Sequence, residues 1–101
     1  MTHNTSTHHG HEVTRLLDAV RSGEPGSRDQ LVDAVYQTLR ELAESHRRRL
    51  MSHTLDAEAL ISEAYFRVLG STHADFENRR HLYGAFSRAM REVLIDAARR
   101  R

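Results

Sequence analysis

The chain has 101 residues, 39% hydrophobic and 29% charged, with no cysteine and a formal net charge of +1. That length allows one domain around one small core, and the lack of cysteine excludes disulfides, a thiol nucleophile and thiolate metal sites. No apolar run is long enough to span a membrane as a helix, and no apolar leader segment follows the start, so the expected compartment is the cytoplasm.

Residues 1–11 hold Thr, His, Asn, Ser and Gly with almost nothing to bury, and are expected to form a disordered tail. His8, His9 and His11 are read as part of that polar leader, because no carboxylate or cysteine beside them completes a metal site. From Glu12 to Arg21, Val13, Leu16, Leu17 and Val20 make the i, i+3, i+4, i+7 stripe of an amphipathic helix. Ser22-Gly23-Glu24-Pro25-Gly26 stops it.

A second helix is expected from Ser27, with Ser27 and Gln30 as a capping box that satisfies the first free N–H groups. Leu31, Val35, Leu39, Leu42, His46 and Leu50 form its inner face, and Met51-Ser52-His53 breaks it. Thr54 is the expected N-cap of a third helix, with Asp56 and Glu58 in the first turn, where the helix dipole favours acids. Leu60, Ile61, Ala64, Tyr65, Val68 and Leu69 give that helix a broad apolar face, and Gly70 follows as its C′ residue.

Ser71 to Glu77 reads as a polar loop carrying one large apolar residue, Phe76. Asn78 can cap a fourth helix with an inner stripe of Leu82, Phe86, Ala89 or Met90, Val93 and Ala97, ending in Arg99-Arg100-Arg101. No segment alternates with the period of a strand. The expected fold is all-α: a compact bundle of about four helices joined by short loops.

All 15 basic residues are arginine, which suits phosphate and carboxylate recognition and is also what a GC-rich coding sequence would give. Charge is segregated along the chain. Thr54 to Glu77 carries one arginine against five acids, whereas Asn78 to Arg101 carries seven arginines against two. Two partner surfaces of opposite sign are expected.

The motifs of phosphate loops, dinucleotide folds and serine hydrolases are absent. Glu41, Glu44 and His46 lack the Glu-x-x-His spacing of a bundle metal site. Asp56 and Glu58, two positions apart on a helix, point away from each other and cannot act as an acid/base couple. No catalysis and no cofactor are expected. The remaining chemistry is the acidic third helix and the arginine-rich fourth, where Phe76, His81 and Tyr83 interleave with cations that can neutralise phosphates beside unpaired bases.

In their order and spacing these segments resemble region 2 of bacterial extracytoplasmic-function (ECF) sigma factors. Val13 to Glu24 is similar to the family's opening helix and turn, and His53 to Leu69 (HTLDAEALISEAYFRVL) to its polymerase-docking helix. Arg79 to Arg91 (RRHLYGAFSRAMR) and Ile95 to Arg101 (IDAARRR) are similar to its promoter-reading helix. The resemblance implies that Asp56, Glu58, Ser62, Glu63 and Arg67 dock on a coiled coil of the largest subunit of RNA polymerase. It implies that Phe76, Asn78, Arg79, Arg80, His81 and Tyr83 recognise and melt the −10 promoter element and hold a flipped non-template base, with Arg88, Arg91 and Arg99 on the backbone. Many members carry glutamine or histidine at the position of Ser62, and common members a Trp at the start of the last helix, where this chain has none.

An anti-sigma factor is a further partner the resemblance allows; no membrane is. Family members usually carry a second helical domain that reads the −35 element, and a chain ending at Arg101 is expected to lack it. The competing expectation is a protein-interaction bundle, a decoy for polymerase or an anti-sigma factor, that uses the acidic helix and does not bind DNA.

Overall fold

The computed structural model describes residues 5–53, 55–70 and 75–100, with side chains from residue 12 onward. They form four helices: α1 (Thr5–Arg21), α2 (Ser27–Arg49), α3 (Ala57–Leu69) and α4 (Arg79–Arg99). No strand occurs among the described residues. α2 packs against each of the other three helices, and α3 against α4. The core lies where they meet, with Leu16, Leu31, Leu39, Leu60, Leu69, Leu82, Phe86 and Met90 sealed from solvent. The all-α bundle expected from the apolar stripes is the observed fold. No helix among the described residues is long and apolar enough to cross a membrane.

Several local expectations need correction. α1 runs back to Thr5, so residues 5–11, assigned to a tail, are helical. Ser27 is not a capping residue. The cap of α2 is Gly26, left-handed at φ 78° and with no side chain to offer, while the buried Ser27 hydroxyl donates backward to the carbonyl of Glu24 at 2.7 Å. The tight Gly23–Gly26 turn puts that carbonyl within reach before any helix N–H, which is why the S-x-x-Q pattern misleads.

Thr54 lies outside the described residues. Asp56 caps α3, its carboxylate accepting from the Ala59 N–H at 2.8 Å. Gly70 ends that helix in a right-handed conformation (φ −75°), so it does not serve as a left-handed C′ residue. Leu94 takes the buried place assigned to Ala97, and Leu50 is exposed rather than inward.

Asn78 caps α4 as expected, accepting from the His81 N–H at 2.9 Å. Phe76 is buried in the core. Its ring meets that of His81 edge-on, with centroids 5.4 Å apart. Just ahead of α4, the loop is held to the end of α1 by one side chain. Arg21 donates to Asp18 (2.9 Å), to Asp75 (2.8 Å) and to the carbonyl of Phe76 (2.9 Å). The start of α4 is thus fixed by its cap, by a buried ring and by a guanidinium from a distant part of the chain.

Candidate nucleic-acid and protein interfaces

A helix keeps its polar side chains outward, so an arginine on it either finds a carboxylate or stays available to a ligand. Arg15, Arg21, Arg47 and Arg67, on α1, α2 and α3, are in ion pairs, whereas Arg40, Arg48 and Arg49 of α2 are exposed without an ion-pair partner among the described residues. On α4, Arg79, Arg80, Arg88, Arg91 and Arg99 are exposed, and none has an ion-pair partner among the described residues. Arg80, Gly84, Ser87 and Arg91 recur at helical spacing and share one side of α4, with Arg88 beside them.

An open groove of about 780 Å³ lies along the first half of α4. Asn78, Arg79, Arg80, Tyr83, Gly84 and Ser87 line it from α4, Leu42 from α2 and Thr14 from α1. That volume suits an unstacked nucleotide. Half-buried Tyr83 supplies a ring, and the arginines at the mouth supply phosphate donors. A Cβ added at Gly84 would meet nothing within 4 Å, so no neighbouring atom in the fold demands glycine there.

His46 of α2 is buried behind the groove, its Nε2 2.7 Å from Oγ of Ser87. Burial holds the imidazole below its ordinary pKa of 6.5, and Arg49 and Arg91 add to that by repulsion. The imidazole is a hydrogen-bonded residue of the α2–α4 seam. No cluster of three or more metal-ligating side chains occurs among the described residues.

The residues assigned to DNA do not all meet. Asn78, Arg79, Arg80 and Tyr83 line the groove. His81 is exposed beside it, its Nδ1 accepting from the Glu77 N–H at 3.2 Å. Phe76 faces the core, where it can support His81 but offers no stacking face.

On α3, Glu58, Ser62 and Glu63 are exposed as assigned. The Asp56 carboxylate is engaged as a cap. Arg67 leans toward α4, 3.1 Å from Asp96 and 3.8 Å from Glu92, and with Glu63 and Asp96 lines a cleft of about 360 Å³ between the two helices. Sequence reasoning missed Phe66, which is 70% exposed in the middle of this acidic face. The signal was present: Glu58, Ser62 and Phe66 recur every four residues, opposite the apolar stripe.

The described residues thus form a helical bundle with an acidic face on α3 and a groove bordered by unpaired arginines on α4. The ECF sigma factor family model matches residues 10–101, and the chain belongs to that family, whose members act in transcription initiation with RNA polymerase and promoter DNA. Sigma factors are not a class of enzymes. Among curated proteins and among solved structures, nothing matches.

Proposed function

We propose that this chain is a sigma region 2 module that docks on core RNA polymerase through α3 and recognises and melts the −10 element through the groove of α4. The observation that carries the reading is the row of unpaired arginines on α4 beside a groove with an Asn side chain and a Tyr ring. Strand opening needs no hydrolysis. Extracting a base costs a few kcal/mol, which ring and polar contacts in a groove can offset. Arg80, Arg88 and Arg91 hold the strand through its phosphates, with Arg79 at the groove mouth and Arg99 farther along. In this reading Asn78 and Tyr83, which line the groove, contact the base, with exposed His81 beside them and Phe76 bracing His81 from inside.

The protein contact falls on Glu58, Ser62 and Glu63, with Asp56 contributing charge at the helix start. Arg67 acts indirectly, by fixing α3 against α4. An isolated module binds DNA weakly, and tethering through polymerase supplies the remaining affinity.

Fluorescence anisotropy with labelled non-template −10 oligonucleotides is the test. A preference for −10 sequence over scrambled sequence, with affinity falling as salt rises, supports the reading. Equal affinity for both removes specific readout. Absence of salt-dependent binding favours a protein-interaction bundle working through α3 alone.

A further inference from the structure

The corner between α2 and α3 shares only Arg99, at its rim, with the surfaces above, and the turn that closes it places a costly residue at its left-handed position. α2 ends in a Schellman motif: the Met51 N–H bonds the carbonyl of Arg48 at 3.2 Å and the Ser52 N–H that of Arg47 at 2.9 Å. The residue at its left-handed position is Met51, at φ 51°, the only described non-glycine residue with positive φ. Glycine is the usual occupant because a Cβ is strained there. The Met51 side chain returns nothing in packing, since it is 81% exposed. Beside it, Leu50, His53, Ile95 and Ala98 border a depression of about 270 Å³.

The surroundings are cationic. Arg48 and Arg49 precede the knob, and Arg99, the last residue of α4, and Arg100, its C-cap, follow Ala98, all exposed. The only acid in residues 47–53 and 94–100 is Asp96, which is held by Arg67. An apolar knob and hollow within a cationic rim complement an amphipathic helix with an acidic flank, and a flexible thioether adapts to such a partner.

We infer that the α2–α3 corner is a docking site for an acidic amphipathic helix of a protein partner, with Met51 as the side chain that enters it. Nucleic acid fits the corner less well, because the centre of the patch is apolar and only its rim is charged.

The test is an NMR titration of the isotope-labelled chain with a synthetic Leu/Glu amphipathic helical peptide, a Leu/Lys peptide of the same pattern, and a single-stranded oligonucleotide. The expected result is a set of shifts confined to residues 49–53 and 94–98 with the Leu/Glu peptide alone, Arg99 being left out because it is assigned to the DNA strand. Met51→Gly should weaken that binding about tenfold while leaving the melting temperature unchanged or higher, since it relieves the left-handed strain. The inference is overturned if the acidic peptide shifts none of these residues, if both peptides bind equally, or if the oligonucleotide perturbs the corner more strongly. It is equally overturned if Met51→Gly keeps full affinity or lowers the melting temperature, which would give Met51 a role in folding. None of these outcomes depends on whether α3 docks on polymerase.

Discussion

α3 and α4 pack against each other, yet they handle charge in opposite ways. α3 has one arginine, Arg67, and spends it on Glu92 and Asp96 across the helix interface, which leaves its own acids facing water. α4 keeps its exposed arginines without carboxylate partners, although Glu92 and Asp96 lie on the same helix. Exposed ion pairs contribute little to stability, about 0–1 kcal/mol, so neither arrangement serves mainly to hold the bundle together. The difference teaches that both acids of α4 face Arg67 of α3, so that the exposed arginines of α4 have no carboxylate of their own helix as a partner.

Four tests break or sharpen this contrast. The largest effect is expected from Arg80→Glu with Arg91→Glu. Affinity for single-stranded −10 DNA should fall on the order of 100-fold at low salt, and the slope of log affinity against log salt should flatten by about 0.7 per lost phosphate contact. An unchanged slope would place the strand elsewhere. Next, Glu58→Arg with Glu63→Arg should weaken capture of core polymerase about tenfold without weakening oligonucleotide affinity, because complementary charge governs encounter. Adding Asp56→Asn extends the test safely, since asparagine still caps a helix. If DNA affinity is lost along with polymerase, the two faces are not independent.

Smaller effects probe the groove itself. Gly84→Ala should stabilise the fold by about 0.5–1 kcal/mol, as expected where a helical glycine gains a methyl without a clash. It should also reduce oligonucleotide affinity by narrowing the groove floor, so stability and binding move in opposite directions. A rise in both would remove the groove from the interface.

The smallest expected effect concerns His46. Its pKa in the fold lies below the ordinary 6.5, so above that pH both folded and unfolded chains hold it neutral and it contributes no pH dependence. As pH falls below about 6.5, the unfolded chain takes up a proton that the native seam resists, and stability declines until the native pKa is passed. Melting temperatures measured across this window should decline less steeply in His46→Gln. Equal slopes would mean that the buried imidazole is not the titrating group.

The helices were legible because their apolar stripes are long and regular: Leu31, Val35 and Leu39 in α2, and Leu82, Phe86 and Val93 in α4, are all buried. The charge contrast between α3 and α4 was legible from composition. Which arginines are free was not, because Arg21 finds Asp75 and Arg67 finds Asp96 only after distant segments pack. Phe76 defeated pattern reading because a single ring among polar neighbours has no period, and only the bundle reveals that it points inward. In the sequence Met51 signals no more than a break; its left-handed backbone becomes visible only in the turn it closes.

The three-way grip of Arg21 has a consequence for anyone who would graft this groove onto another scaffold. α4 starts where a guanidinium from the far end of α1 anchors the Phe76 carbonyl. Transplanting residues 75–100 without an equivalent of that arginine would carry the contact residues but not their placement. Variation at the last turn of α1 should therefore be felt as altered DNA recognition, through a side chain that does not line the groove.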